Sequence, residues 1–336
     1  KKRNSGMILI IGQHHDTSTD KVCAWLNYYG VEFVRTNTGT NNIDIVSDVI
    51  ISNDNLRIEL FINDTKYDFD NFSTIWCRRG YLKFTLPNLN SFNVIENNIP
   101  YKVESHLINE TNTLESFIEH MFKSKMRINT ISHYNSNKLI ALQTAKSVGL
   151  NIPQTLITRN SKILKEFINI NKSCITKNIQ DNLSYHDDNY TFGHGTTDVK
   201  IQDIKTENFY YSLFQKKIEK KYELRVFYLL GKLYVSAAIP PIDTNYTDIR
   251  TTNKSNRHTP FNLPYDIRKK LHEFMLQMDL ESGSLDIMVD TDDNYWFLEV
   301  NPVGQFDFLS GKNNFYIEKE IAKALIDGNK NRFSKN

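Results

Sequence analysis

Apolar and polar positions along this chain repeat with two periods, and the changes of period mark out strands and helices. Met7–Ile11 is a continuous apolar run of strand length, closed by a polar turn over Gly12–Asp16. From about Ser18, which can cap it, the spacing of Val22, Trp25, Leu26 and Tyr29 predicts a helix. Gly30 ends that helix, and Val31–Arg35 reads as the next strand. This β-α-β spacing predicts a small parallel sheet. Ile43–Ile51, Leu56–Ile62 and Thr65–Phe69 then read as an antiparallel set ahead of the strand Ser73–Arg79. Helical spacing over Glu104–Lys123, through Leu107, Leu114, Phe117, Ile118 and Met121, predicts a helix packed between N-terminal and central units. A further helix is expected from a cap at Asn135 or Ser136 through Leu139, Leu142, Ala145 and Val148, closed by Gly149 and Pro153.

Period two returns in Leu285–Phe306, two apolar runs around the polar turn Thr291–Asn294. Alternation places Leu298 and Val300 towards the core and Glu299 and Asn301 together on the other face. If the loop is Asp292–Asp293, Asp286 stands opposite Glu299; a one-residue shift puts it opposite Asn301. Either register gathers two carboxylates and an amide carbonyl, with no Cys or His, a donor set suited to Mg²⁺. Solvated edge positions are the commoner fate of such acids. Here both lie inside apolar runs, where an unpaired charge is costly and a bound cation offsets the cost.

Composition narrows the function classes. The 336 residues suggest about two or three structural units. With Lys and Arg totalling 41 against 39 Asp and Glu, no nucleic-acid signal arises. Cys23, Cys77 and Cys174 are widely spaced and odd in number, which predicts reduced core residues and no disulfide or zinc framework. No apolar run approaches the roughly 20 residues of a membrane span, so no membrane partner is expected. The start KKRNSGMILIIG is too polar for a signal peptide, its first six residues reading as a frayed end, and the cytoplasm is the expected location.

His14, His15, Arg78 and Arg79 lie at the carboxyl ends of predicted strands, where open α/β sheets bind ligands. A solvated turn accounts for the two His. Two Arg after a buried strand can form a bidentate carboxylate clamp, or merely a surface ion pair.

The segment from Leu285 to Phe306, with its D-I and L-E-V-N-P runs, resembles the C-terminal signature of the ATP-grasp ligases. Four other runs resemble that family in order: NSNKLIALQTAKSVGLNIPQTLIT (135–158), CITKNI (174–179), FQKKIEKKYELRVFYLLGKLYVSAAI (214–239) and TDIRTTNKSNRHTPFNLP (247–264). The resemblance covers about residues 120 to 326. It implies an α/β (α+β) ATP-grasp fold: an N-terminal open α/β domain over 1–120, a central subdomain over 121–214 and a C-terminal subdomain over 215–330. It further implies Mg²⁺ on Asp286, Glu299 and Asn301, and ATP phosphates at Lys138 and Lys177. Gln215, Lys216, Lys217 and Ile218 match the hinge that cradles adenine through backbone groups, with Glu223 on the ribose. Arg225, Arg250 and the Arg78/Arg79 pair match positions that hold the reacting carboxylate or the transferring phosphate.

More narrowly, IWCRRGY (75–81) and LDIMVD…FLEVNPVGQF are similar to the graspetide synthetases, in particular the grasp-with-spasm group. Those enzymes use ATP to join Asp or Glu side chains of a ribosomal precursor peptide, leader plus core, to Ser/Thr hydroxyls or Lys amines of the same peptide. A homodimer is implied as well. One departure stands out: the family's Gly-rich phosphate loop corresponds here to QDNLSYHDDNYTFGHGTT, with only Gly193 and Gly195. The segment Thr196–Glu207 matches a region related maturases use to dock the leader. Two other readings compete: an amino-acid or glutamyl ligase acting on a small molecule or protein tail, and a nucleotide-binding protein without ligase activity. Retention of all three metal positions and both Lys speaks against the last.

Overall fold

The structure is a computed structural model that describes residues 6–38, 46–82, 84, 99–180, 184–186, 191–193, 195–239 and 257–331. The chain divides into two units: Lys1–Asn135 with Gln305–Asp307 and Tyr316–Asn336, and Ser136–Gly304 with Phe308–Phe315.

In the first unit, β1 (Met7–Gln13), α1 (Thr17–Tyr28) and β2 (Phe33–Thr38) form the expected β-α-β unit. The antiparallel set is β3 (Val46–Ile51), β4 (Leu56–Ile62) and β5 (Thr65–Asp68). After β6 (Phe72–Arg78), the long helix α2 (Ile99–Phe122) leads to β7 (Met126–Ile128). The strand order β2-β1-β6-β7 is parallel throughout. Leu9, Ile11, Phe72, Ile75, Ile118 and Phe122 share one core with Ile58 and Leu60 of the antiparallel set. Ser18 is not the cap of α1. Asp16 holds the N-cap position and Ser18 is buried inside the helix, its hydroxyl donating to Asp307. Gly30, at φ +66°, ends the turn after α1 as expected. Cys23, Cys77 and Cys174 are all free and buried.

The second unit opens with α3 (Lys138–Ser147), capped by Asn137, whose side-chain oxygen accepts from the Leu139 and Ile140 N–H groups. The expected cap at Asn135 or Ser136 is displaced because only Asn137 sits one residue before the helix. There follow β8 (Thr155–Asn160), α4 (Ser161–Asn171), β9 (Cys174–Lys177), the hairpin β10 (Ser184–His186) and β11 (Thr191–Gly193), β12 (Thr197–Val199) and β13 (Asn208–Lys216). An antiparallel sheet in the order β12-β9-β13-β8 packs its apolar side on α4 through Leu164, Phe167, Ile168, Cys174 and Phe214.

A second antiparallel sheet follows, from β14 (Lys220–Leu229), β15 (Lys232–Ile239), β16 (Arg257–Pro260), β17 (Ser282–Asp290) and β18 (Tyr295–Asn301), with α5 (Tyr265–Gln277) before β17. Its order is β16-β15-β14-β17-β18. One face carries Leu224, Val226, Tyr228, Leu285, Ile287 and Val289 and packs against Ala141, Leu142 and Ala145 of α3 and Leu271, Phe274 and Met275 of α5. The other face meets α6 (Asp307–Asn313), where the Ser236 hydroxyl donates to Asn313 Oδ1 at 3.1 Å. The closing helix α7 (Ile317–Asn331) returns to the first unit and sets Lys319 over the Trp25 ring.

Candidate active site

The hairpin β17–β18 positions the acids. Val289 faces Tyr295, and the Asp290 N–H donates to the Asn294 carbonyl at 3.1 Å, so the loop is three residues, Thr291–Asp293. Asp293 takes φ +62°, the left-handed residue such a loop requires. The Asp290 carboxylate secures the turn, accepting from the N–H groups of Asp292 and Asn294 and from the Trp296 indole. Below this, a bulge at Leu298 shifts the register, and Asp286 pairs with Glu299. The bulge alters the expected alternation. Phe297 and Val300 are the core residues, and Leu298 is only half-buried.

Lateral pairing then builds a row. Arg225 lies opposite Asp286, and Asp286 opposite Glu299, so the three side chains leave one face of the sheet. Glu223 and Asn301, two residues along their strands, share that face. The Arg225 guanidinium pairs with Asp286 and lies 3.7 Å from Glu223; Lys220 is 3.1 Å from the other Glu223 oxygen. Burial, the largest influence on Arg225, pulls its pKa down, but Asp286, Glu223 and Glu299 outweigh it and hold it above its ordinary value.

Two lysines complete the cluster. Lys138, the first residue of α3, stands 4.0 Å from Glu299 and donates to the Gln180 carbonyl. Lys177, at the end of β9, has its pKa lowered, first by burial and then by Lys138, against the pull of Glu299 and Asp286. A cation at a helix N-terminus, close enough to a second one to lower its pKa, is a setting that polyphosphate relieves.

The donor set fits a hard divalent cation. Asn301 Oδ1 accepts from the Val303 N–H at 3.0 Å, which fixes its rotamer and leaves a lone pair. The turn closes through Gly304, whose N–H meets the Asn301 carbonyl at 3.0 Å; a Cβ at Gly304 would come within 2.5 Å of Ser284. Among the described residues no three His, Cys, Asp or Glu gather as a metal group. A cation on Asp286 and Glu299 would therefore complete its shell with the Asn301 amide, waters and phosphate oxygens, as suits Mg²⁺.

The hinge residues lie in and after β13. Gln215 is buried, its amide donating to Thr155 Oγ1 at 2.9 Å. The Lys216 and Lys217 N–H groups donate to the Gln154 and Ser173 carbonyls. Lys217 pairs with Asp198 at 2.8 Å, Lys216 is exposed and Ile218 is half-buried. Arg250 and residues 181–183, 187–190 and 194 of the Gln180–Thr197 loop lie outside the described residues; Gly193 ends β11.

Protein-family models give no match to this chain. Curated proteins give none either. Solved structures do. A ribosomal-peptide-associated ATP-grasp ligase from Chryseobacterium gregarium, solved with ADP and a leader and core peptide, is similar at 26% identity and a TM-score of 0.76, over 96% of this chain and 97% of that one. The chain has the ATP-grasp fold. Macrocyclase MdnC of Microcystis aeruginosa, solved with precursor peptide MdnA, shares the fold at 24% identity and a TM-score of 0.74, over 96% and 99% of the two chains. A D-alanyl-alanine synthetase from Vibrio cholerae shares it at 12% identity and a TM-score of 0.55, over 97% and 99%. The ATP-grasp fold alone thus leaves the carboxylate substrate open.

The two consecutive arginines of the first unit have different surroundings. Arg78 is 3% exposed, ion-paired with buried Asp16 at 3.3 Å, and lies 5.3 Å from the centre of the Phe306 ring. Burial lowers its pKa to about 10, against the pull of Asp16. Arg79 is half-buried at φ +58°, just ahead of Gly80, where a Cβ would strike the Gly12 backbone at 2.7 Å. Arg78 is thus committed to the interior, and Arg79 is the better placed of the pair for a ligand. Arg78→Ala is expected to destabilise the first unit by about 3–5 kcal/mol, because Asp16 is left charged and buried. Arg79→Ala is expected to be nearly neutral for stability; thermal unfolding of both variants checks the contrast.

Proposed function

We propose that the protein is an ATP-dependent ligase that activates Asp or Glu side chains of a ribosomal precursor peptide. It then joins them to Ser/Thr hydroxyls or Lys amines of the same peptide, giving macrocyclic esters or amides. The Arg225–Asp286–Glu299 row, flanked by Lys138 and Lys177, carries this reading: cations and hard oxygen donors meet on one sheet face. The similar ligase solved with ADP and a leader and core peptide supports the choice of substrate.

The chemistry has two steps. A carboxylate oxygen of the peptide attacks the γ-phosphorus, ADP leaves, and an acyl phosphate forms. A hydroxyl or amine then attacks the acyl carbon, and phosphate leaves with the electron pair of the broken C–O bond. When bound on Asp286, Glu299 and Asn301, Mg²⁺ would supply charge neutralisation at the β- and γ-phosphates. Lys138 and Lys177 offset further phosphate charge. Glu223 accepts from ribose hydroxyls, and the Gln215–Ile218 segment borders the adenine. Arg225, with Arg250, orients the attacking carboxylate, so these side chains contribute mainly positioning and electrostatic stabilisation. We place the enzyme in the cytoplasm as a homodimer acting on a peptide, not on nucleic acid or membrane. No described helix is long and apolar enough to cross a membrane.

Mass spectrometry of the small peptide encoded beside this gene, after incubation with protein, ATP and Mg²⁺, tests the reading. Loss of one or more waters is expected, reversible by mild base for esters and resistant for amides. An unchanged peptide mass with protein that binds ATP would shift the assignment to a small-molecule or protein-tail ligase.

A further inference from the structure

The second step releases a proton from the attacking hydroxyl or amine, and the site described so far has no group to take it. Its carboxylates are engaged: Glu223 lies beside Lys220 and Arg225, Asp286 beside Arg225, and Glu299 beside Lys138. Protonating any of them would break an ion pair, and two of them are the expected cation ligands.

Among the described residues, His258 is a further titratable side chain on the same face. His258 on β16 pairs with Ala238 on β15, and Ala238 pairs with Glu223 on β14. His258, Ala238 and Glu223 therefore form a lateral row next to the one that runs Ser236–Arg225–Asp286–Glu299. Two strand spacings, roughly 10 Å, separate the His258 and Glu223 backbones. The half-buried His258 ring is held edge-on by Phe308 of α6, with centroids 6.0 Å apart at 70°. Its Nδ1 is buried and has no hydrogen-bond partner among the described residues. A buried imidazole nitrogen without a partner on an active-site face calls for an explanation, and a donor brought by the substrate supplies one.

Resting on the peptide-ligase reading, we propose that His258 is the proton acceptor of the condensation step. As the Ser/Thr oxygen or Lys nitrogen bonds to the acyl carbon, its proton passes to the neutral imidazole and then to solvent. The acyl C–O bond to phosphate breaks at the same time, and its electron pair leaves with the phosphate. Contact with the nucleophile tightens in the loaded complex, as catalytic hydrogen bonds commonly do. The charged groups around the ring favour this role. Burial first, then Lys312 of α6 and Arg225 of β14, hold the His258 pKa below its ordinary 6.5, with Glu223 the acid in its row. The ring is therefore neutral at pH 7, and its capacity to accept a proton is lost as the pH falls below 6.5.

The test separates the two steps. Hydroxylamine, uncharged at neutral pH and reactive without a base, traps the acyl phosphate as a hydroxamate and so reports the first step alone. With precursor peptide, ATP and Mg²⁺, His258→Gln and His258→Asn are each expected to slow ring closure by roughly 10²- to 10⁴-fold. Hydroxamate formation is expected to stay within about threefold of wild type. Free imidazole is expected to restore part of the closure rate to His258→Ala. In the wild type, closure should fall on the acid side of pH 6.5 while trapping, corrected for the free-base fraction of hydroxylamine, stays flat, a readout that needs no variant to fold. Closure unchanged in the variants, closure and trapping falling together, or a flat acid limb in the wild type would each overturn the role of His258. No hydroxamate from the wild-type protein would overturn the peptide-ligase reading itself, and this proposal with it.

Discussion

Glu299→Ala is expected to abolish ring formation, with a fall of at least about 10²–10³-fold, the loss typical of removing one preorganised electrostatic contact. Glu299 stands opposite Asp286 in the row and 4.0 Å from Lys138, so the change removes one of two carboxylates and leaves Lys138 without its acidic neighbour. Cation binding then fails because the cation loses a ligand, while nucleotide binding persists because the lysine remains to hold the phosphates. Calorimetric titration should accordingly show ADP binding that no longer strengthens when Mg²⁺ is added, alongside an unmodified peptide mass. The half-buried side chain makes no core contact, so the unfolding temperature should stay close to wild type. A Glu299→Ala protein that still closes rings at more than a tenth of the wild-type rate would move the cation site elsewhere.

The largest stability effect is expected behind the sheet, at Phe274. Its ring is fully buried and lies 4.8 Å from that of Phe297, between α5 and the hairpin that carries the acids. Phe274→Ala removes a ring from a close-packed core and is expected to cost about 3–5 kcal/mol. For a unit of this size the shift corresponds to a fall of roughly 6–20 °C in Tm. Tyr265→Ala, at the first position of the same helix and 82% exposed, should change stability by less than about 0.5 kcal/mol and is the matched control. Scanning calorimetry of the two variants decides; equal shifts would mean that the α5 contact is not what holds the sheet.

Much of the framework was legible before any coordinates. The β-α-β start, the antiparallel run after it, α2 and the hairpin all follow from alternation, helical spacing and turn residues, while Asp286 could stand opposite Glu299 or Asn301, which only the register decides. Alternation, spacing and turn residues are signals carried within about ten neighbouring positions. The ends of elements were less legible. Ser18 and Asn135 have the chemistry of caps, but Asp16 and Asn137 occupy the cap positions, because several polar residues in a row offer the same local signal. The expected core position of Leu298 failed for a different reason. A bulge inserts one residue, and the choice to bulge depends on what the partner strand and α5 can accommodate.

The sequence by itself determined which residue types meet at the hairpin, and the family resemblance implied that two lysines join its hard oxygen donors. Only the tertiary structure decided how they are laid side by side. It put Arg225 directly against Asp286, buried Arg78 on Asp16 while leaving Arg79 half-open, and engaged the Lys216 and Lys217 amides in the sheet. It also brought His258, from a strand with no local signature, onto the face that carries Glu223 and Arg225. Lateral neighbours in an antiparallel sheet come from strands tens of residues apart. Their alignment depends on register and packing, which local periodicity does not encode.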